Sequence, residues 1–209
     1  MLAELPEPTA AAARAAARQV HEVSGRSGGN GSLMRTAPLV LGYLDDPVGL
    51  AAAAREVSAL THYDPDAGDA CVIWCLAIWH TIHTGAYDVR AGLAAVDAGR
   101  WGQLLEDADI QNPRDFTRNG WVVHALQGAW SAVSDSDSFA DAVQRAVRGG
   151  HDTDTVAAIA GALAGARWGA AAIPQEWLEV LHGWPGMDAS GLRALAERAL
   201  DRVSSPRDA

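Results

Sequence analysis

The stretch GGHDTDTVAAIAGALAGA, Gly149 to Ala166, decides the fold. It reads as a glycine stop, a tight polar turn and a small-residue helix over 155–171. The segment before it, SFADAVQRAVR at 138–148, has Phe139, Ala142, Val143, Ala146 and Val147 on one helical face. So two carboxylates and a hydroxyl (Asp152, Asp154 and Thr155) fall between two helices. Gly161, Gly165 and Gly169 recur every four residues, a spacing that predicts close approach of a neighbouring helix. Working outward, helical spacing appears at 9–22 with Thr9 as N-cap, from about Ser32 through Leu44, at 48–60, 67–84, 121–133 and 189–203. One or two short helices fit 88–107, and 109–120 reads as polar loop. No strand-like alternation is convincing. The expectation is all-α: a single compact multi-helix domain over 1–209, with about eight or nine helices and a frayed tail at 204–209.

Composition narrows the function. The chain has 209 residues, 49% hydrophobic and 20% charged, enough for one real core. Its formal charge is −10, which argues against a nucleic-acid duplex as partner. All 16 basic residues are arginine, which removes lysine Schiff-base chemistry and a P-loop lysine. Cys71 and Cys75 sit four residues apart in an apolar run and read as buried thiols of a reducing cytoplasm. Residues 1–20 lack a secretory leader pattern, and no run of ~18 apolar residues predicts a membrane span.

Four segments carry candidate chemistry. Asp152, Asp154 and Thr155 offer oxygen donors of the kind Mg²⁺ or Mn²⁺ prefers; one Asp could equally cap the next helix. In SGRSGGNGSLMRTAPL, Ser24 to Leu39, glycines at 25, 28, 29 and 31 permit positive φ. Such a loop, followed directly by a helix, can gather N–H groups around an anion, or it can be a flexible linker. His62 stands at a helix–loop junction, and Trp121 opens a helix after Asn119-Gly120, either as a core anchor or as a platform for a base. His80 and His83 share the helix of Cys71 and Cys75, but the four side chains spread over three turns, a poor zinc geometry. Asp-Thr-Asp-Thr-Val also looks like the nucleophile motif of haloacid dehalogenase-type phosphatases. That motif follows a buried strand, and here an amphipathic helix precedes it.

Taken together, GNGSLMRTAPL (29–39), LTH (60–62), NGWVVHALQGAWSAV (119–133) and GGHDTDTVAAIAGALAGARWG (149–169) resemble, in order, the motifs of the ADP-ribosylglycohydrolase family. The resemblance covers residues 24–178 and implies an all-α fold. It implies a hydrolase cleaving the glycosidic bond between ADP-ribose and a protein side chain or a related small acceptor, at a binuclear Mg²⁺ or Mn²⁺ centre. Carried over by motif, Asp152, Asp154 and Thr155 would be metal ligands. Ser27, Gly28, Gly29, Asn30 and Gly31 would cradle the diphosphate and neighbouring ribose, His62 would touch the same region, and Trp121 would lie against adenine. The family's N-terminal Gly-Asp-x-x-Gly and Thr-Asp-Asp-Thr segments, which bring further ligands and usually an acidic catalytic residue, have no match before Gly25. The catalytic residue is therefore unknown, and the domain is expected to be N-terminally truncated. A complementing N-terminal chain, self-association through an exposed apolar face, or a catalytically silent ADP-ribose-binding module all follow as expectations.

Overall fold

The computed structural model describes residues 9–204, with side chains described through Asp201. The tail expected at 204–209 lies outside the described residues except for Ser204, which ends the last helix.

Three of the early helices begin where the sequence supplies a cap. α1 (Ala10–Ser24) starts with the Thr9 hydroxyl accepting from the Ala12 N–H, and Gly25 ends it at φ +59°. α3 (Pro47–Ala59) and α4 (Pro65–Thr84) follow Asp46 and Asp64, each with proline at the first helical position. Between α1 and α3, the expected helix from Ser32 is a single turn, α2 (Leu33–Thr36), that tightens into a 3₁₀ segment over Ala37–Gly42. Pro38 has no N–H to give, which suits the tighter turn. A second 3₁₀ stretch, Val89–Ala95, leads to α5 (Ala98–Ile110), so the helix continues past the point expected to be loop. A 3₁₀ turn at Pro113–Asp115 precedes α6 (Val122–Ser134), α7 (Phe139–Arg148) and α8 (Thr153–Trp168).

After α8 come α9 (Gln175–Val180), a two-residue antiparallel pair β1 (His182–Gly183) and β2 (Met187–Asp188), and α10 (Ala189–Ser204). That small hairpin is too short to leave an alternating pattern in sequence.

α4 is apolar on all sides and sits centrally, with Ala70 to Trp74 buried. α3, α6, α8 and the 89–95 segment pack around it. The Trp74 indole N–H donates to the Ile159 carbonyl at 3.0 Å, tying α4 to α8. At Gly92 a Cβ would lie 2.7 Å from the Ile73 Cα, so only glycine allows that contact. Cys71 and Cys75 are free and buried, and burial pushes both thiols upward in pKa. Among the described residues no helix is long and apolar enough to cross a membrane.

Three packing expectations change. Val147 is 46% exposed, because the buried face of α7 stops at Ala146. Gly161 and Gly165 do face α7, but a Cβ there would meet Val143 at 3.6 Å and Phe139 at 4.0 Å, ordinary contacts. Gly169 lies beyond the helix as its C-cap, at φ +74°. α7 does pack on that face of α8, but at a distance that does not require glycine. At the end of α7, Gly149 keeps helical angles and Gly150 makes the left-handed turn at φ +82°.

Candidate functional site

Two sequence-distant loops are stitched together at Gly28–Asn30. The Val122 N–H donates to the Gly28 carbonyl at 2.9 Å, and the Asn30 N–H donates to the Gly120 carbonyl at 3.1 Å. This is a short antiparallel bridge between Gly29 and Trp121. The buried Asn30 side chain then reaches further. Its Nδ2 donates at 2.7 Å to the Asn119 carbonyl and at 2.7 Å to Oδ2 of Asp152. Asn119 closes the circuit: its Oδ1 accepts from the Asp152 N–H at 3.1 Å, and its Nδ2 donates to the Gly150 carbonyl at 3.0 Å. A buried amide must place every donor and acceptor, so these two asparagines fix the turn at 149–152 against the glycine loop. His151, at φ +60°, completes that turn.

The glycine loop works differently from the expected nest. Only Gly25 among its glycines has positive φ, and that residue caps α1. The Asn30 N–H is already used by Gly120, and the helix that follows is one turn long. Gly28, Gly29 and Gly31 are small because other side chains crowd them. A Cβ at Gly28 would sit 3.2 Å from the Asp64 carboxylate and 3.4 Å from the Trp121 ring. At Gly29 and Gly31 it would sit 3.3 Å and 3.0 Å from the His62 ring.

His62 is half-buried and well anchored. Its N–H donates to the Ser58 carbonyl at 2.9 Å, and its Nδ1 shares a 2.7 Å hydrogen bond with the Thr61 hydroxyl. Burial pushes its pKa below 6.5, and the nearby Arg35 guanidinium adds to the effect. The Ser58 hydroxyl bonds Ser32 at 2.9 Å, so one residue of α3 steadies both His62 and the end of the glycine loop. Ser27, expected to face the ligand, has its hydroxyl 2.6 Å from His21 Nδ1.

Trp121 is half-buried, with its ring centroid 5.3 Å from that of His124 and the Arg118 guanidinium 5.6 Å from the ring. Beside it lies an open depression of 360 Å³, lined by Gly25, Arg26, Gly28, Gly29, Asp64, Gly120 and Trp121.

On the carboxylate side, Asp152 is the N-cap residue of α8, yet its side chain makes no cap bond there. Partial burial pushes its pKa up, but hydrogen bonds led by Asn30 and Thr155 outweigh that and hold it below the usual carboxylate range. Asp154 is exposed on the first turn of α8 and Thr155 is buried beside it. Two carboxylates and a hydroxyl form an all-oxygen donor set, chemically suited to a hard cation but short of the ~6 ligands such ions take. Among the described residues no group of three or more His, Cys, Asp or Glu could hold a metal ion.

Asp64, His21 and the Asn119 side chain were not legible as site residues. Asp64 hides in a proline turn, His21 in an alanine-rich helix, and Asn119 in a loop whose role is fixed only by its buried partners.

A family description, ADP-ribosylglycohydrolase, matches residues 3–209. The chain is similar to an ADP-ribosylarginine hydrolase of Pseudomonas putida strain GB-1, with 32% identity over 178 residues, 84% of this chain and 46% of the relative. It is also similar to an ADP-ribosyl-[dinitrogen reductase] glycohydrolase of Rhodospirillum rubrum, with 29% identity over 153 residues, 73% of this chain and 50% of the relative. A solved ADP-ribosylglycohydrolase-related protein complex superposes with a TM-score of 0.60 and 28% identity, covering 92% of this chain and 69% of that one. The chain spans about half the length of the curated relatives it matches.

Proposed function

This chain belongs to the ADP-ribosylglycohydrolase family, and on that premise we propose that it hydrolyses the glycosidic bond between ADP-ribose and a protein side chain or a related small acceptor. The observation that carries this reading is the Asn30 side chain, which bonds Asp152 while its own loop runs past His62 and Trp121. Base platform, loop and carboxylate turn are thereby held as one surface. Trp121 offers a flat face for adenine. Gly29 borders the open depression and bears no side chain of its own, so the diphosphate and ribose would lie against the loop there, with Asp64 beside Gly28 and His62 beside Gly29 and Gly31. His62, neutral at pH 7 because burial disfavours its charge, can exchange hydrogen bonds with that region without adding a fixed positive charge.

Asp152, Asp154 and Thr155 would hold Mg²⁺ or Mn²⁺, a pair of ions in the family. When bound, such ions supply positive charge that orients the distal ribose and an attacking water. Asn30 and Asn119 keep the Asp152 carboxylate and backbone in place before any ligand arrives. No described residue is assigned as the catalytic acid or base. The two buried thiols suit a reducing, cytoplasmic setting.

The short donor set favours a second reading, a module that binds ADP-ribose without cleaving it. One experiment separates them. The full chain is incubated with ADP-ribosyl-arginine, with and without Mg²⁺ or Mn²⁺, and free ADP-ribose is quantified beside a thermal shift with ADP-ribose. Metal-dependent release that Asp154→Asn abolishes supports the hydrolase. A thermal shift without release supports the binding module. Absence of both overturns the two readings together.

A further inference from the structure

We propose that Asp64 selects the nucleoside end of the ligand by accepting a hydrogen bond from a neutral donor on it. This rests on the ADP-ribose reading above and adds a residue to that site. Asp64 uses only one carboxylate oxygen for the fold: Oδ1 accepts the Asp66 N–H at 3.0 Å and caps α4. Oδ2 accepts no hydrogen bond among the described residues, and its residue lines the depression beside Trp121. Among the described residues the one basic nitrogen within 4.0 Å of it is His21 Nδ1, at 4.0 Å and already engaged with Ser27, while Arg26 lines the same depression.

Gly28 locates this oxygen relative to the base platform. A Cβ there would lie 3.2 Å from Asp64 Oδ2 and 3.4 Å from Trp121 Cδ1, so carboxylate and indole converge on one point. The same loop gives the ligand a direction. Gly28 meets Asp64 and Trp121, Gly29 and Gly31 meet His62, and Asn30 meets Asp152. A molecule laid along it with its base on Trp121 has its far end at Asp152 and its nucleoside end at Asp64.

An ionised carboxylate is acceptor-only and repels phosphate. At the nucleoside end it therefore reads a ribose hydroxyl or an amine on the base, which share one donor chemistry, and it disfavours a phosphate seated backwards. A hydrogen bond to a charged acceptor in a half-buried site contributes enough to be seen in affinity.

The test is isothermal titration of the full chain with ADP. Asp64→Asn is the informative variant, since asparagine also caps helices and keeps an oxygen for the Asp66 N–H while placing an NH₂ where Oδ2 stood. The expected result is a loss of ADP affinity of about tenfold or more at unchanged melting temperature. On the unmodified chain, 2′-deoxy-ADP, 3′-deoxy-ADP and inosine diphosphate identify the donor: one of them shows the same loss, and that analogue loses nothing further on the variant. On the unmodified chain the analogue series alone can overturn the proposal, however the variant folds: if no analogue loses affinity, no nucleoside donor is read. Equal ADP affinity of variant and wild type overturns the role of Asp64 and leaves the ADP-ribose reading standing. A loss in the variant that none of the analogues reproduces also overturns it, as a general charge effect. A wild-type chain that binds neither ADP nor ADP-ribose overturns both.

Discussion

Gly31 shows how a single missing methyl group shapes the site. A Cβ there would sit 3.0 Å from His62 Cε1, so Gly31→Ala makes the imidazole give way by a few tenths of an ångström. The expected cost in stability is about 1 kcal/mol, because a ring tip can yield. The expected loss of ADP-ribose affinity is larger in proportion, about tenfold, and calorimetry alongside a denaturant melt separates the two. His62 also carries a pH signature. Its folded pKa lies below 6.5 through burial first and the Arg35 charge second. The unfolded chain therefore takes up the proton more readily than the folded one. The stabilising contribution is complete above pH 6.5 and is lost as pH falls through the lower folded value. Titration of the His62 ring by NMR should give a midpoint below 6.5, and Arg35→Gln should move it upward. A midpoint at or above 6.5 would contradict the burial described here.

At the scale of the helix, glycine plays opposite parts in two places. In α8, Gly161 and Gly165 have room for a methyl group, so Gly161→Ala and Gly165→Ala should each raise stability, by up to ~1 kcal/mol; a melt that falls instead would mean that α7 lies closer than the 3.6 Å and 4.0 Å contacts. Gly92 has no such room: a Cβ would strike the Ile73 backbone at 2.7 Å, and Gly92→Ala should destabilise by roughly 1–3 kcal/mol. This contrast marks where sequence reading succeeds and stops. The start of α1 was legible because Thr9 bonds its own first turn, a local event; Asp46, Asp64 and Ser138 do the same for α3, α4 and α7, though in the sequence the first two read only as breaks between helices. The order of loop, His62, Trp121 and Asp152 was legible as motifs. What a glycine is for was not, since the neighbour that demands it is 31 residues away for Gly31 and His62. The 3₁₀ tightening after Thr36 and the exposure of Val147 are likewise set by tertiary packing rather than by periodicity.

At the scale of the molecule, the C-terminal unit is packed unlike the rest. α10 has no buried residue among those described, and Leu192 and Leu195 remain about half exposed over an apolar cavity of 520 Å³ shared with α4 and α8. The tip of the hairpin carries Trp184, 92% exposed. Apolar surface on this scale favours association. Sedimentation velocity is expected to show concentration-dependent self-association that Trp184→Ser weakens; one monomeric species at every concentration would count against it. The stitched loops have the opposite character. The Asn30 and Val122 amides each donate across the two chain segments, and the Asn119 and Asn30 side chains lock a third segment to them. None of these segments can breathe alone. Deuterium should therefore enter the amides of Asn30, Val122 and Asp152 at a common rate, as one cooperative opening, while the fringe around Trp184 exchanges within seconds.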